Sequence, residues 1–158
     1  MIIEHQEVKS YLRQRYPFLL VDRVLDVNRE EVVAIKNVTG TDRCLEGHFP
    51  DEPLFPGALL VEAMAQAGSL MFVFDQREQV PGRGYLAKVD RVKFKQFVRP
   101  GDQIVLKAQR LRGFGSMARV AVIASVDNVE VGEGEITYYF DEKSAAAATP
   151  ELEEAVSL

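Results

Sequence analysis

The chain has 158 residues, 47% of them hydrophobic and 27% charged, which suits a single globular domain and excludes disordered, collagen-like and coiled-coil architectures. A formal charge of −5 argues against general binding to nucleic acid or to anionic membranes. One cysteine, Cys44, and two histidines, His5 and His48, provide neither a disulfide framework nor a cysteine-based zinc cluster.

In chain order, Glu4 to Gln14 is expected to form a short exposed helix, ended by Pro17 because the residue before a proline avoids helical geometry. The first residues are mostly polar and carry no apolar core, so no secretory signal is expected and the chain is placed in the cytoplasm. Phe18 to Val27 and Glu31 to Val38 are expected as strands, with Asn28-Arg29 turning between them. Gly40 to Pro53 holds three turn formers (Gly40, Gly47, Asp51) and two prolines (Pro50, Pro53), and is a predicted loop.

A long apolar segment follows, Leu54 to Phe74, with Pro56 at its first turn, where the missing N–H does no harm. Glu62 and Gln66 sit near its middle, and a charge there costs about 3 kcal/mol or more in lipid. No basic residues crowd its flanks, so it is a buried helix rather than a membrane span. The pattern then changes to strand alternation: Gly84 to Phe94, Gln103 to Leu111, Met117 to Val126 and Val129 to Phe140. Pro100-Gly101-Asp102 and Gly113-Phe114-Gly115 are the expected turns. A helix apolar on all sides must be surrounded, and only a curved antiparallel sheet is available to surround it. Cover from a second subunit is compatible with that count. The expected domain is residues 1–140, and the acidic, alanine-rich stretch from Asp141 to Leu158 is read as a solvated tail.

Few residues on this frame can carry chemistry. Glu62, Gln66 and Ser69 fall at i, i+4 and i+7, so the polar groups of the helix form one stripe. Burial would raise the pKa of Glu62 and suit it to donating a proton; an arginine or the backbone satisfying a structural glutamate is the alternative. His48, framed by Gly47 and Pro50, could act as a base, and by itself reads equally as a surface loop residue. His5 and Cys44 have no such framing and receive no role. Gly57 opens the helix, where unpaired N–H groups and the helix dipole favour a negative oxygen, although simple helix-entry chemistry explains it as well. Lys88, Arg91, Lys93, Lys95 and Arg99 face one acid, Asp90, in this stretch and suggest a landing site for an acidic partner.

Several segments together carry a resemblance. Arg15-Tyr16-Pro17-Phe18-Leu19-Leu20-Val21-Asp22-Arg23, Gly47-His48-Phe49-Pro50, Phe55-Pro56-Gly57 and Glu62-Ala63-Met64-Ala65-Gln66 resemble the FabZ-type β-hydroxyacyl-acyl-carrier-protein dehydratases. Arg91-Val92-Lys93-Phe94 and Pro100-Gly101-Asp102 extend the likeness over residues 12–140. It implies an α+β hot-dog fold, a long helix wrapped by a curved antiparallel sheet. A homodimer is the implied minimal unit, and trimers of dimers are common in the family. His48 matches the family's catalytic histidine and Glu62 its catalytic glutamate, one from each subunit. Gly57 matches the glycine whose N–H binds the thioester carbonyl. Gln66 would also touch substrate, and Tyr85 would gate the acyl tunnel.

The implied reaction takes (3R)-hydroxyacyl-acyl-carrier-protein to trans-2-enoyl-acyl-carrier-protein, in fatty-acid or related lipid and polyketide synthesis. The family uses no metal or organic cofactor, and the basic 88–99 segment would dock the acyl carrier protein. Gln14 stands where the family commonly has histidine, and Asp51 where it usually has glycine. Alternatives on the same fold are a dehydratase that also isomerises its product, or a thioesterase. From another class comes a non-catalytic acyl-thioester sensor or assembly subunit, which expects His48 or Glu62 to be lost.

Overall fold

A computed structural model describes residues 1–75 and 83–141. Helix α1 (His5–Tyr11) starts at a capping box in which Glu4 and Glu7 satisfy each other's backbone N–H groups. Strands β1 (Arg23–Val27) and β2 (Glu31–Asn37) form a hairpin whose turn is set by Asn28, its Oδ1 accepting the N–H groups of Glu30 and Glu31. A short 3-10 helix (Arg43–Glu46) lies within the predicted loop. Helix α2 (Gly57–Asp75) follows, then β3 (Arg83–Phe94), β4 (Gln103–Phe114), β5 (Met117–Val126) and β6 (Val129–Asp141).

All six strands join one antiparallel sheet in the order β1-β2-β4-β5-β6-β3, and α2 packs against every strand of it. The core is the contact layer between them. Leu60, Ala63, Met64, Ala67, Leu70 and Met71 of α2 meet Val32, Ala34, Ile104, Leu106, Val120, Val122 and Ile136 of the sheet, all at 3% exposure or less. The alternation read in β5 is present, with Val120, Val122 and Ala124 buried. Gly68 is where helix and sheet come closest. A Cβ there would lie 2.5 Å from the Tyr138 hydroxyl and 2.8 Å from Val120, so only glycine fits despite its cost inside a helix. Among the described residues no helix is long and apolar enough to cross a membrane.

Three boundaries differ from expectation. Residues 18–22 are not part of β1, because the backbone groups of Phe18 and Leu20 bond the Gln66 side chain instead of a strand neighbour. Gly113 and Phe114 belong to β4, and the turn is Gly115-Ser116, with Gly115 at φ 58° and Phe114 opposite Met117. Asp141 is the last residue of β6 rather than the first of a tail; the remainder of the expected tail, 142–158, lies outside the described residues.

Candidate active site

Glu62 and Gln66 stand one turn apart on α2 and are joined directly, Gln66 Nε2 donating to Glu62 Oε1 at 2.8 Å. The same Nε2 donates to the Phe18 carbonyl at 2.7 Å, and Gln66 Oε1 accepts the Leu20 N–H at 2.8 Å. Gln66 is 1% exposed and Glu62 half-buried. Burial raises the Glu62 carboxyl above the usual glutamate range, and the Gln66 bond opposes that in part. Ser69, the third residue of the stripe, turns back to its own helix and donates to the Gln66 carbonyl. The expectation that Gln66 contacts substrate is therefore corrected: its amide is committed to protein partners in a place solvent does not reach.

His48 lies in a loop closed on itself. Leu54 N–H donates to the His48 carbonyl at 2.9 Å, and His48 Nδ1 lies 2.9 Å from the Leu54 carbonyl. A carbonyl only accepts, so Nδ1 carries the proton and Nε2 of the neutral ring is left as the acceptor. The loop is tied to the far side of β3 by Phe55 N–H bonding the Val98 carbonyl at 2.8 Å, and by the Arg99–Glu52 pair at 3.4 Å. The Phe49 ring stacks on the imidazole with centroids 4.3 Å apart. Within one protomer His48 and Glu62 do not bond each other.

Gly57 is the first residue of α2, so its N–H belongs to the turn that intrahelical bonding leaves open. The Phe94 ring lies over it, and a Cβ at residue 57 would come within 3.0 Å of that ring. This close approach to the N–H side of the helix start was not visible in the sequence, where Gly57 and Phe94 are far apart. Tyr85 is half-buried near the start of β3, opposite Tyr139 of β6.

The five basic residues do not form a bare positive patch. Lys88 pairs with Asp90 (3.5 Å), Arg91 with Glu135 (2.7 Å), Lys93 with Glu133 (3.0 Å) and Arg99 with Glu52 (3.4 Å). Lys95 reaches both Glu130 and Glu133. The acids on β6 were read separately from these bases because only the β3–β6 register brings them together.

One cleft, 460 Å³ in volume, adjoins the start of α2 and is lined by Phe18, Leu20, Phe55 and Leu59 with Lys36 and Asp42 at its polar end. Lys36 is nearly buried and bonds Asp42 at 3.3 Å and the Asn37 carbonyl at 2.5 Å. Cys44 also lines it, with burial pushing its thiol up, away from reactive thiolate.

The dehydratase heterocomplex ApeI:P from Xenorhabdus doucetiae is a structural neighbour at TM-score 0.75 and 20% identity, covering 87% of this chain and 92% of that one. A hypothetical thioesterase from Streptococcus pneumoniae, solved with coenzyme A, aligns at TM-score 0.59 and 10% identity, covering 84% and 90%. These likenesses show the hot-dog fold. In sequence, the 3-hydroxyacyl-[acyl-carrier-protein] dehydratase FabZ of Bacillus cereus is 40% identical over 144 residues, 90% of this chain and 99% of that protein. The Streptococcus agalactiae protein of the same name is 41% identical over 138 residues, 87% and 97% of the two chains. Residues 12–138 match the FabA-like domain family, and with these relatives the chain belongs to that family as a FabZ-type dehydratase.

Proposed function

We propose that this chain removes water from a 3-hydroxyacyl thioester borne on acyl carrier protein, with His48 as base and Glu62 as acid. The observation that carries the assignment is the opposed tuning of the two groups. Leu54 holds the imidazole with Nε2 free to accept a proton, while burial favours the protonated form of Glu62.

In that reaction Nε2 of His48 takes the proton from the carbon next to the thioester carbonyl. The electron pair moves toward the carbonyl oxygen, and the Gly57 N–H at the positive end of α2 stabilises the charge that develops there. As the carbon–oxygen bond at the β-position breaks, Glu62 gives its proton to the departing hydroxyl. One water leaves, the double bond forms, and a trans-2-enoyl thioester remains. The proton on His48 then returns to Glu62 through solvent, restoring both groups.

His48 and Glu62 do not meet in one protomer, so the reading assigns His48 from one subunit and Glu62 from a second copy. Strand β3 ends the sheet order and exposes Leu86 (45%), Val89 (37%) and Phe94 (56%). An apolar sheet edge of that kind is suited to pairing with another chain. A homodimer is the minimal unit, with a trimer of dimers as the larger assembly. Tyr85 gates the acyl chain's path, the 88–99 segment receives the carrier protein, and the enzyme works in the cytoplasm.

Turnover of a 3-hydroxyacyl-carrier-protein thioester, read by mass spectrometry, tests the assignment. Wild type loses one water, while His48→Ala and Glu62→Gln each lose about a hundredfold or more in kcat. Mixing the two inactive variants after subunit exchange restores activity, because each mixed dimer holds one intact site. No recovery in verified mixed dimers would place both groups in the same subunit. Binding of the thioester with no water lost at any chain length would support a non-catalytic sensor.

A further inference from the structure

Gln66 is held by main chain on two sides, and that removes a freedom most glutamines keep. A backbone N–H only donates and a backbone carbonyl only accepts. The Leu20 N–H therefore requires Oε1 on its side, and the Phe18 carbonyl requires Nε2 on the other. Turning the amide over would set N–H against N–H and oxygen against oxygen at a residue 1% exposed, where neither could be recovered by water. The amide is locked, and the group it turns toward Glu62 Oε1 is always a donor.

We propose that Gln66 is a positioning residue that fixes which oxygen of Glu62 carries the acidic proton. Oε1 is held as an acceptor by the Gln66 N–H, so the proton resides on Oε2. A proton on Oε1 would confront the Gln66 N–H, in a site too dry to screen the clash. Glu62 is thus an acid with one armed oxygen, and the segment from Phe18 to Leu20 sets its orientation through Gln66. The inference rests on the reading of Glu62 as the proton donor.

The surroundings leave few competing influences. On β6, the buried Tyr138 hydroxyl donates to the Ala65 carbonyl at 2.7 Å, and burial and the charge of Glu62 both keep it protonated. The 18–20 segment presents backbone groups. In the assembled dimer the partner subunit's His48 joins them, which affects every variant below equally.

The test compares the pH profile of kcat with the thermal midpoint for Gln66→Met and Gln66→Glu. Met keeps the length and removes all three bonds. Glu keeps an acceptor for Leu20 N–H but sets a second carboxyl against Glu62. A positioning role predicts a ten- to hundredfold loss of kcat in Gln66→Met with little change in KM. It also moves the alkaline limb to higher pH by up to about one unit, because the bond that stabilised the carboxylate is gone. In Gln66→Glu the limb moves further, and two coupled steps appear as the carboxyls share a proton. A limb left at its wild-type position in both variants, with kcat lost only in proportion to folded protein, overturns the proposal.

Infrared difference spectroscopy of the wild type, with Glu62→Gln as the subtraction, provides a reading that needs no Gln66 variant to fold. A protonated Glu62 whose carbonyl oxygen accepts a hydrogen bond absorbs below a free carboxylic acid, and a band at the free position overturns the inference. Full activity in Glu62→Gln is the separate result that removes the acid reading itself.

Discussion

Two parts of the molecule hold polar groups together in opposite ways. Around Gln66 there are three hydrogen bonds in a dry place, two of them to main chain. Along β3 and β6 there is a ladder of ion pairs in water: Lys88–Asp90, Arg91–Glu135, Lys93–Glu133 and Lys95 with Glu130 and Glu133. The ladder has more charge and more pairs. Each of its members, however, exchanges one set of water contacts for another partner and loses side-chain freedom in doing so. Each Gln66 bond, once broken, strands a donor or acceptor that water does not reach. Burial rather than the number of contacts decides which region fixes geometry, and geometry is what a proton donor requires.

The dry region should break most severely where it is tightest. Gly68→Ala places a methyl group 2.5 Å from the Tyr138 hydroxyl and 2.8 Å from Val120, both in the closed layer between α2 and the sheet. Either α2 moves off the sheet or Tyr138 leaves its bond to the Ala65 carbonyl. A destabilisation of about 1–3 kcal/mol is expected, read as a lower denaturant midpoint with an unchanged slope. An unchanged midpoint would mean that the helix shifts freely, and the argument for a fixed Glu62 would weaken with it.

A second test uses the proton itself. Burial raises the Glu62 carboxyl in the folded state above its unfolded value. Below the unfolded pKa both states hold the proton and Glu62 imposes no penalty. As pH rises between the two values the unfolded chain releases its proton first, so stability falls, and the loss is complete above the folded pKa. Glu62→Gln removes that cost. The variant should be inactive yet more stable than wild type at alkaline pH, with the two midpoints converging as pH falls. Parallel pH curves would show that Glu62 is not carrying a raised pKa.

How much of this was legible in the sequence follows the same division. Strand β5 was read to the residue because alternation is a local pattern, and the Glu62–Gln66 spacing on one helical face is local too. The likeness to the dehydratases located His48 and Gly57. The partners of Gln66, Phe18 and Leu20, lie nearly fifty residues away and act through main-chain atoms, which no residue type reveals. The same bonds explain why an apolar run beginning at Phe18 was taken for strand: its backbone is satisfied by a side chain. The ladder was missed for the matching reason. Lys93 and Glu133 are forty residues apart, and the register shift between Asp90 and Lys93 on β3 must be known before they can be seen to face each other.

The ladder gives the smallest stability effect and the most specific functional one. Lys93→Ala and Lys88→Ala should move the thermal midpoint least of the variants considered, and moderate salt should erase the difference, since charges on this surface are screened over about 8 Å at physiological ionic strength. If the carrier protein docks here, its acidic groups must displace Asp90, Glu133 and Glu135 from bases they already hold. Docking then exchanges one ion pair for another, and its gain is modest in affinity and larger in the rate of encounter. Reversing a base, as in Lys93→Glu, should raise KM for the carrier-borne thioester while leaving KM for a short pantetheine thioester unchanged. Equal changes for both substrates would take the docking role away from this edge and leave the ladder as a solvated face of the sheet.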